Sequence, residues 1–318
     1  MSVRVISRDN GVGLSRDLHL IAQVLRDAGV DTQTVGFGGS QFGNRVREAT
    51  LHAQRALRGP VDTQLFVERV YQRCLPLARH NLLMPNPEWF LPKWQAWLPR
   101  FERVLCKTHH AEDIFGALGC KTVYTGFTSE DRLDASVVRE DAFFHLAGRS
   151  TAKGTDVLLA TWRQHPEWPR LTVVQHPKVA TPGAPCANIE HRIDYLDDAA
   201  LRQLQNAHRF HLCPSEAEGF GHYLMEAMGI GAVVLATDSA PMNELVTPQR
   251  GVLIPVAKTR REGLVDHALV DGSGIEQAVE HALALTAPER IAMGEAARRF
   301  FIDNDRAFRE RLPAACLP

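Results

Sequence analysis

Two glutamates, Glu218 and Glu226, stand in the stretch Pro214 to Gly231 (PSEAEGFGHYLMEAMGIG) with seven residues between them, and a glycine-flanked turn fills the gap. Gly219, Phe220 and Gly221 suit the interior of a helix poorly, whereas His222 to Met228 suit it well. The pattern therefore predicts a loop carrying Glu218 and a helix carrying Glu226. Unpaired N–H groups at a glycine-opened helix start form a site for phosphate, and carboxylates before it and one turn inside it can hold hydroxyl groups on either side. A sugar joined to a nucleoside through a diphosphate has that layout. Upstream, Gly148-Arg149-Ser150-Thr151-Ala152-Lys153-Gly154 follows the apolar run Phe143 to Ala147. If that run is a strand, the loop delivers an arginine and a lysine to its carboxyl end, where open α/β sheets bind ligands. A guanidinium grips two oxygens at once and an ammonium acts as a compact point charge, so the pair suits a diphosphate and the charge that builds on it as it leaves. Taken alone, an arginine and a lysine in a glycine turn are more often solvated or capping residues. The two glutamates downstream favour the ligand reading.

Such residues need strands and helices to hold them, and the chain alternates accordingly. Val3 to Ile6 reads as a strand, Asp9 to Gly13 as a turn and Leu14 to Ala28 as an amphipathic helix. Val35 to Phe37, Asp62 to Val67, Leu82 to Met84, Arg103 to Cys106 and Thr122 to Tyr124 read as five further strands. A second cycle starts with the strand Phe143 to Ala147 and a helix over Asp156 to Trp162. It continues through strands at Leu171 to Gln175, Phe210 to Cys213, Val233 to Ala236 and Gly251 to Ile254. The alternation predicts parallel sheets covered by helices, and the restart divides the chain into residues 1–142 and 143–318. The charged stretch Thr125 to Asp141 is the expected linker, and Glu289 to Leu312 is helix-like.

The set GRSTAKGTDVLL, CPSEAEGFGHYLMEAMGIGAVVLATDSAPMNELV and GVLIPV resembles, in order and spacing, the donor-binding domain of family 4 glycosyltransferases, which are retaining enzymes. The resemblance is specific over Phe143 to Val256 and thinner over the first 142 residues. It implies the α/β GT-B fold: two Rossmann-like domains with parallel sheets facing an interdomain cleft. Residues 1–142 would be the acceptor-side domain and residues 143–318 the nucleotide-sugar domain, with a terminal helix crossing back through Arg306 to Leu312. It implies transfer of a hexose from a nucleoside-diphosphate sugar to a glycan, lipid or other hydroxyl acceptor, with retention and without a metal or cofactor. Attack comes from the front face while the leaving phosphate accepts the acceptor's proton. In that scheme Arg149 and Lys153 contact the diphosphate, and Glu218 faces the transferred sugar as a positioning group, unlike the paired carboxylates of glycoside hydrolases. Glu226 holds the ribose hydroxyls, and backbone N–H groups around Phe220, Gly221 and His222 complete the donor contacts. Gly11 and Gly13 close on the same phosphates from the first half, although a glycine pair after a strand is also a common tight connection.

The first half departs from the family, whose members often present a histidine after a central strand. The comparable segment, Leu82 to Phe90, offers Asn86 to hydrogen-bond a sugar hydroxyl and Glu88 to orient the acceptor. The competing reading is a proline-locked turn with Trp89 and Phe90 in the core. His109, flanked by Lys107 and His110, is a third acceptor-side candidate, though paired histidines at a helix start also serve as caps or exposed residues. Glu68, at the end of a strand, carries a similar ambiguity. Arg45, Arg47, Arg55, Arg58, Arg69, Arg73 and Arg79 make residues 45–79 basic, which suits a solvated helical face or an anionic membrane.

Composition bounds the remaining possibilities. A chain of 318 residues suggests two domains of roughly 150 residues each. A hydrophobic content of 45% and a net charge of -1 describe a globular protein with no electrostatic call for nucleic acid. The six cysteines show no CxxC pair, which fits reduced thiols in the cytoplasm and implies no metal cage. No apolar run approaches the ~18 residues of a membrane span, so the expectation is a cytoplasmic protein, with peripheral contact at the inner membrane face left open. Two rival readings remain: a noncatalytic sugar-nucleotide sensor and a GT-B sugar-nucleotide epimerase. The motifs leave open the base, the sugar and the acceptor.

Overall fold

The computed structural model describes residues 2–8 and 13–317. The chain forms two compact units, Met1–Phe127 together with Asp305–Pro318, and Thr128–Asn304.

In the first unit, β1 (Ser2–Arg8), α1 (Gly13–Asp27), β2 (Asp31–Phe37), α2 (Gln41–Arg58), β3 (Val61–Val67) and β4 (Ala78–Met84) follow one another. After β4 come α3 (Pro92–Gln95), β5 (Arg103–Cys106), α4 (His109–Ala117) and β6 (Thr122–Tyr124). The sheet order is β2-β1-β3-β4-β5-β6, parallel throughout. The strand order reverses between β1 and β3, so the crevice expected of such a sheet lies outside the carboxyl ends of those two strands. Leu65, Phe66 and Val67 of β3 and Leu82, Leu83 and Met84 of β4 are buried on both faces, as strands covered by helices on each side must be.

The second unit holds β7 (Glu140–Gly148), α5 (Thr155–Gln164), β8 (Leu171–Gln175), β9 (Ile189–Arg192), α6 (Asp198–Ala207) and β10 (His208–Cys213). It continues with α7 (His222–Gly229), β11 (Val233–Thr237), α8 (Met242–Leu245), β12 (Val252–Ile254), a hairpin of β13 (Lys258–Glu262) and β14 (Val265–Leu269), and α9 (Gly272–Ala284). The main sheet runs β12-β11-β10-β7-β8-β9, again parallel. Numbered from β7, this is the order 3-2-1-4-5-6 of a dinucleotide-binding sheet, and its reversal falls between β7 and β10. Phe143, Trp162 and Phe210 anchor the core, with Phe143 stacked on Phe210 at 4.6 Å between centroids and edge-on to Trp162 at 4.9 Å.

The division between the units falls at Phe127/Thr128, ahead of the expected 142/143. Residues 128–139, expected to be a linker, are fastened to the second unit: Arg132 donates to Asp198 and Gln205, and Arg139 donates to the carbonyls of Ile230 and Gly231. The last helix, α10 (Ala287–Cys316), starts in the second unit, and its residues from Asp305 onward belong to the first. There Phe308 packs edge-on against Phe127 at 5.0 Å, and the Cys316 carbonyl accepts from Thr63 Oγ1 at 3.2 Å. The segment expected to return, Arg306 to Leu312, lies within that stretch.

Candidate active site

The β7/β10 reversal sets two loops side by side. One runs from Gly148 to Gly154 and carries Arg149 and Lys153; the other runs from Pro214 to Gly221 and carries Glu218. Gly154 precedes α5 in a left-handed conformation (φ 65°), and a side chain there would press into the Pro214 carbonyl oxygen. Only glycine lets the two loops approach this closely. The Glu216 N–H donates to the Ala152 carbonyl at 3.0 Å and ties them together.

Lys153 meets Glu218 at this junction. Its Nζ donates to Glu218 Oε1 and sits 3.7 Å from the centroid of the Tyr223 ring. The same carboxylate oxygen accepts from Ser215 Oγ at 2.6 Å, and Ser215 Oγ lies 2.5 Å from the Tyr223 hydroxyl. Burial pushes the Tyr223 hydroxyl far above its ordinary pKa, so it stays protonated. Burial also pushes up the neighbouring Cys213 thiol, which is inert as a nucleophile. Arg149 is exposed at the end of β7 and lies near His176, whose pKa is lowered by desolvation and by the Arg149 charge. The geometry thus joins Lys153 and Glu218 directly and leaves Arg149 reaching into solvent.

Gly221 precedes α7 with φ 90° and no side-chain cap, and a Cβ there would come within 2.7 Å of Leu224 Cδ1. The glycine-opened helix start expected from the sequence is therefore present. His222 Nδ1 lies 2.7 Å from Ser129 Oγ, and the Phe220 and His222 rings meet edge-on at 5.6 Å. Glu226, one turn into α7, is 2% exposed and accepts from Gln205 Nε2 at 2.8 Å. Behind it, Gln205 Oε1 accepts from Arg132 Nε at 2.5 Å. Sequence reasoning missed Ser129, Arg132, Gln205, Ser215 and Tyr223. Ser215 and Tyr223 lay inside the quoted motif, but the partners of Arg132 and Gln205 are too distant in sequence for spacing to reveal.

The first unit holds the remaining candidates. Gly11 lies outside the described residues, and Gly13 opens α1. Asn86 precedes a 3-10 turn, Pro87–Trp89, and its Oδ1 is sealed from solvent without a hydrogen-bond partner among the described residues. Glu88 is half-buried in that turn. Phe90 is in the core as expected, but Trp89 is 63% exposed, since a 3-10 turn rotates each successive side chain by about a third of a turn and so directs neighbours to different sides. His109 is paired with Glu112 (Nδ1 to Oε2, 3.1 Å) and stacks on Tyr124 at 3.9 Å, while Thr108, not a histidine, caps α4. Lys107 is buried against Asp17 at 2.8 Å and lies 4.2 Å from the Phe127 ring centroid. Glu68 stands just beyond β3 at the β1/β3 reversal with φ 65°, the one left-handed residue other than glycine among those described. Burial raises its carboxyl pKa, against the lowering effects of Lys107 and Arg69.

Residues 143–269 match the family model described as "Glycosyl transferases group 1". The chain carries a group 1 glycosyltransferase domain. Both loops of the β7/β10 reversal, with α7 and the hairpin, lie inside that match. A sequence search of curated proteins returns no match. Among solved structures, sucrose-phosphate synthase from Thermosynechococcus elongatus is similar with a TM-score of 0.77 at 14% identity, over 99% of this chain and 98% of that one. The glycosyltransferase from Rickettsia africae has a TM-score of 0.73 at 13% identity, over 98% and 96%. Anabaena HepE, solved with UDP and glucose, has a TM-score of 0.68 at 12% identity, over 99% and 98%. These likenesses establish the fold as GT-B, α/β with two parallel six-stranded sheets. No helix among the described residues is long and apolar enough to cross a membrane.

Proposed function

We propose that this glycosyltransferase moves a sugar from a nucleoside-diphosphate sugar to a hydroxyl acceptor, with retention at the anomeric carbon and without a metal. The observation that carries the reading is the convergence of Lys153 and Glu218 at the sheet reversal, one turn away from a glycine-opened helix start. Without donor, the lysine and the glutamate neutralise each other. The diphosphate of an arriving donor competes for the ammonium, and Glu218, still held by Ser215, is released to accept from hydroxyls of the transferred sugar. Arg149 adds a second cation at the phosphates, the α7 N-terminus adds backbone donors, and Glu226 takes the ribose hydroxyls. In the transfer step the acceptor oxygen bonds to the anomeric carbon on the face from which the diphosphate departs. The carbon–phosphate-oxygen bond breaks with its electron pair going to the diphosphate, whose oxygen takes the acceptor's proton. Lys153 and Arg149 stabilise the charge that builds there. UDP and glucose in the Anabaena structure support a nucleoside-diphosphate donor. The six free thiols suit a reducing, cytoplasmic setting.

The test is a thermal-shift screen of the purified chain against UDP- and GDP-linked hexoses, followed by radiolabelled-donor turnover with product stereochemistry. A stabilising donor that yields an α-linked product from an α-linked donor supports the proposal. Binding without release of the nucleoside diphosphate identifies a sensor, an altered sugar still on its nucleotide identifies an epimerase, and no shift by any donor removes the donor-site assignment.

A further inference from the structure

We propose that Arg132 is a positioning residue for nucleotide recognition: through the Gln205 side-chain amide it fixes the Glu226 carboxylate in the orientation that receives the ribose hydroxyls. The inference rests on the assignment of Glu226 to the ribose made above.

Arg132 lies in the stretch that composition marks as a linker, yet it is 2% exposed and among the largest fully buried side chains. Its Nη1 and Nη2 donate to Asp198 Oδ1 (2.8 Å) and to the Asp198 carbonyl (3.1 Å) at the start of α6, and its Nε donates to Gln205 Oε1 (2.5 Å) one face along the same helix. The carboxylates near it, Asp198 and Glu130, have side chains 70% and 60% exposed, so pairing with them does not by itself account for burying a guanidinium. The buried end of the group is the one on Gln205.

A guanidinium donates only, whereas an amide presents an acceptor on one side and donors on the other. Arg132 therefore decides which way the Gln205 amide faces: the oxygen turns to the arginine and the nitrogen turns to Glu226, where it donates to Oε2 at 2.8 Å. With the amide reversed, its oxygen and the Glu226 carboxylate would confront each other as two acceptors. The relay runs through buried groups, where an unmatched contact is costly. Its first member is rigidly placed as well. The Arg132 carbonyl accepts from Asn206 Nδ2 (2.8 Å) and Arg202 Nε (3.1 Å), and Arg202 Nη2 donates to the Leu133 carbonyl (2.6 Å). Helix α6 thus grips the 132–133 backbone from one side and Gln205 from the other. The consequence is a carboxylate held with a fixed acceptor face toward groups that can donate to it, such as the two hydroxyls of a vicinal diol.

The test measures dissociation constants of the full chain for UDP, GDP and their 2′,3′-dideoxy counterparts. Wild type is expected to prefer the ribose form of the nucleotide it binds by about tenfold, the worth of one good hydrogen bond to a charged group. Arg132→Gln and Gln205→Met are expected to lose most of that preference while binding the dideoxy nucleotide as wild type does. Adding Glu226→Gln to either should cost little further. Gln205→Met leaves Arg132 anchored on Asp198 and is the deciding variant if Arg132→Gln does not fold. Either variant keeping the full ribose preference, or weakening both forms equally, overturns the positioning role. A wild-type protein that binds a nucleotide without ribose preference overturns the Glu226 assignment together with the relay, and one that binds neither nucleotide overturns the donor-site reading beneath both.

Discussion

Replacing Lys153 by methionine removes the charge at the sheet reversal while keeping most of the side chain's length. The lysine and Glu218 side chains are 17% and 13% exposed, so solvent screens the pair only partly. The change deletes a charge-assisted hydrogen bond, worth about 1.5–3 kcal/mol, and an ammonium–ring contact with Tyr223 worth about 0.5–2 kcal/mol. Against this, Ser215 still donates to the orphaned carboxylate, and the residual exposure lets water reach it. A net loss of about 2–3 kcal/mol is expected, and at ~2–4 °C per kcal/mol for a unit of this size the midpoint should fall by roughly 5–10 °C. Glu218→Gln should cost less, since the freed ammonium can hydrate. The double variant Lys153→Met/Glu218→Gln should be more stable than Lys153→Met alone, because no buried carboxylate is then left unmatched. Turnover should not follow stability: both Lys153→Met and the double variant lose the cation at the leaving group, a loss on the order of 100-fold or more in kcat. Thermal unfolding of the four proteins, paired with nucleoside diphosphate release under saturating donor, reads both quantities. If the two single effects simply add, the pair is not coupled. If Lys153→Met retains near-normal turnover, the lysine has no part in the departure of the diphosphate.

Acid should weaken the second unit through its buried histidines. Burial lowers His145 to about 4 and His211 to about 3, and lowers His208 as well. Their unfolded values lie near 6.5, so the unfolded chain binds more protons below that point. The stabilisation is complete above pH 6.5 and drains away as pH falls toward 4 and 3, which a fall in unfolding midpoint between pH 7 and pH 5 would register; a flat profile would contradict it. Gly154→Ala should cost about 2–3 kcal/mol, from left-handed strain and the collision with Pro214, and should lower donor turnover as the two loops part; unfolding in urea measures the first. Glu68→Gly should raise the stability of the first unit by about 1 kcal/mol by relieving its φ of 65°, whereas Glu68→Gln should not. Equal stability of the two variants in a denaturant titration would show that the backbone is unstrained there.

Much of the scaffold was legible because its strands are short apolar runs punctuated by glycine and charge. β8, β10 and β11 read directly, and so did the glycine-opened start of α7. β9, α6 and the β13–β14 hairpin did not read. β13 is Lys-Thr-Arg-Arg-Glu, fully exposed and partnered across the hairpin by Arg261–Asp266 at 3.5 Å, so no burial pattern marks it as a strand. The stretch before β7 misled for the opposite reason. Arg132 and Arg139 look like solvated linker residues, yet each satisfies groups well over sixty positions away. Of the two aromatics that the proline-locked turn was read as carrying into the core, Phe90 lies there and Trp89 is outside.

By itself the sequence determined which residues are chemically equipped for a sugar nucleotide. Arginine, lysine, two carboxylates and a glycine-opened helix start are local properties of type and spacing, and the backbone obeys them locally. Only the tertiary structure decided how those groups are paired before a donor arrives: Lys153 on Glu218 across 65 positions, and Glu226 held through Gln205 by Arg132. Those pairings depend on the strand order that sets β7 beside β10 and on the packing of α6 behind α7. Strand order and packing are settled by the burial of the whole unit, a sum over contacts that no window of sequence contains.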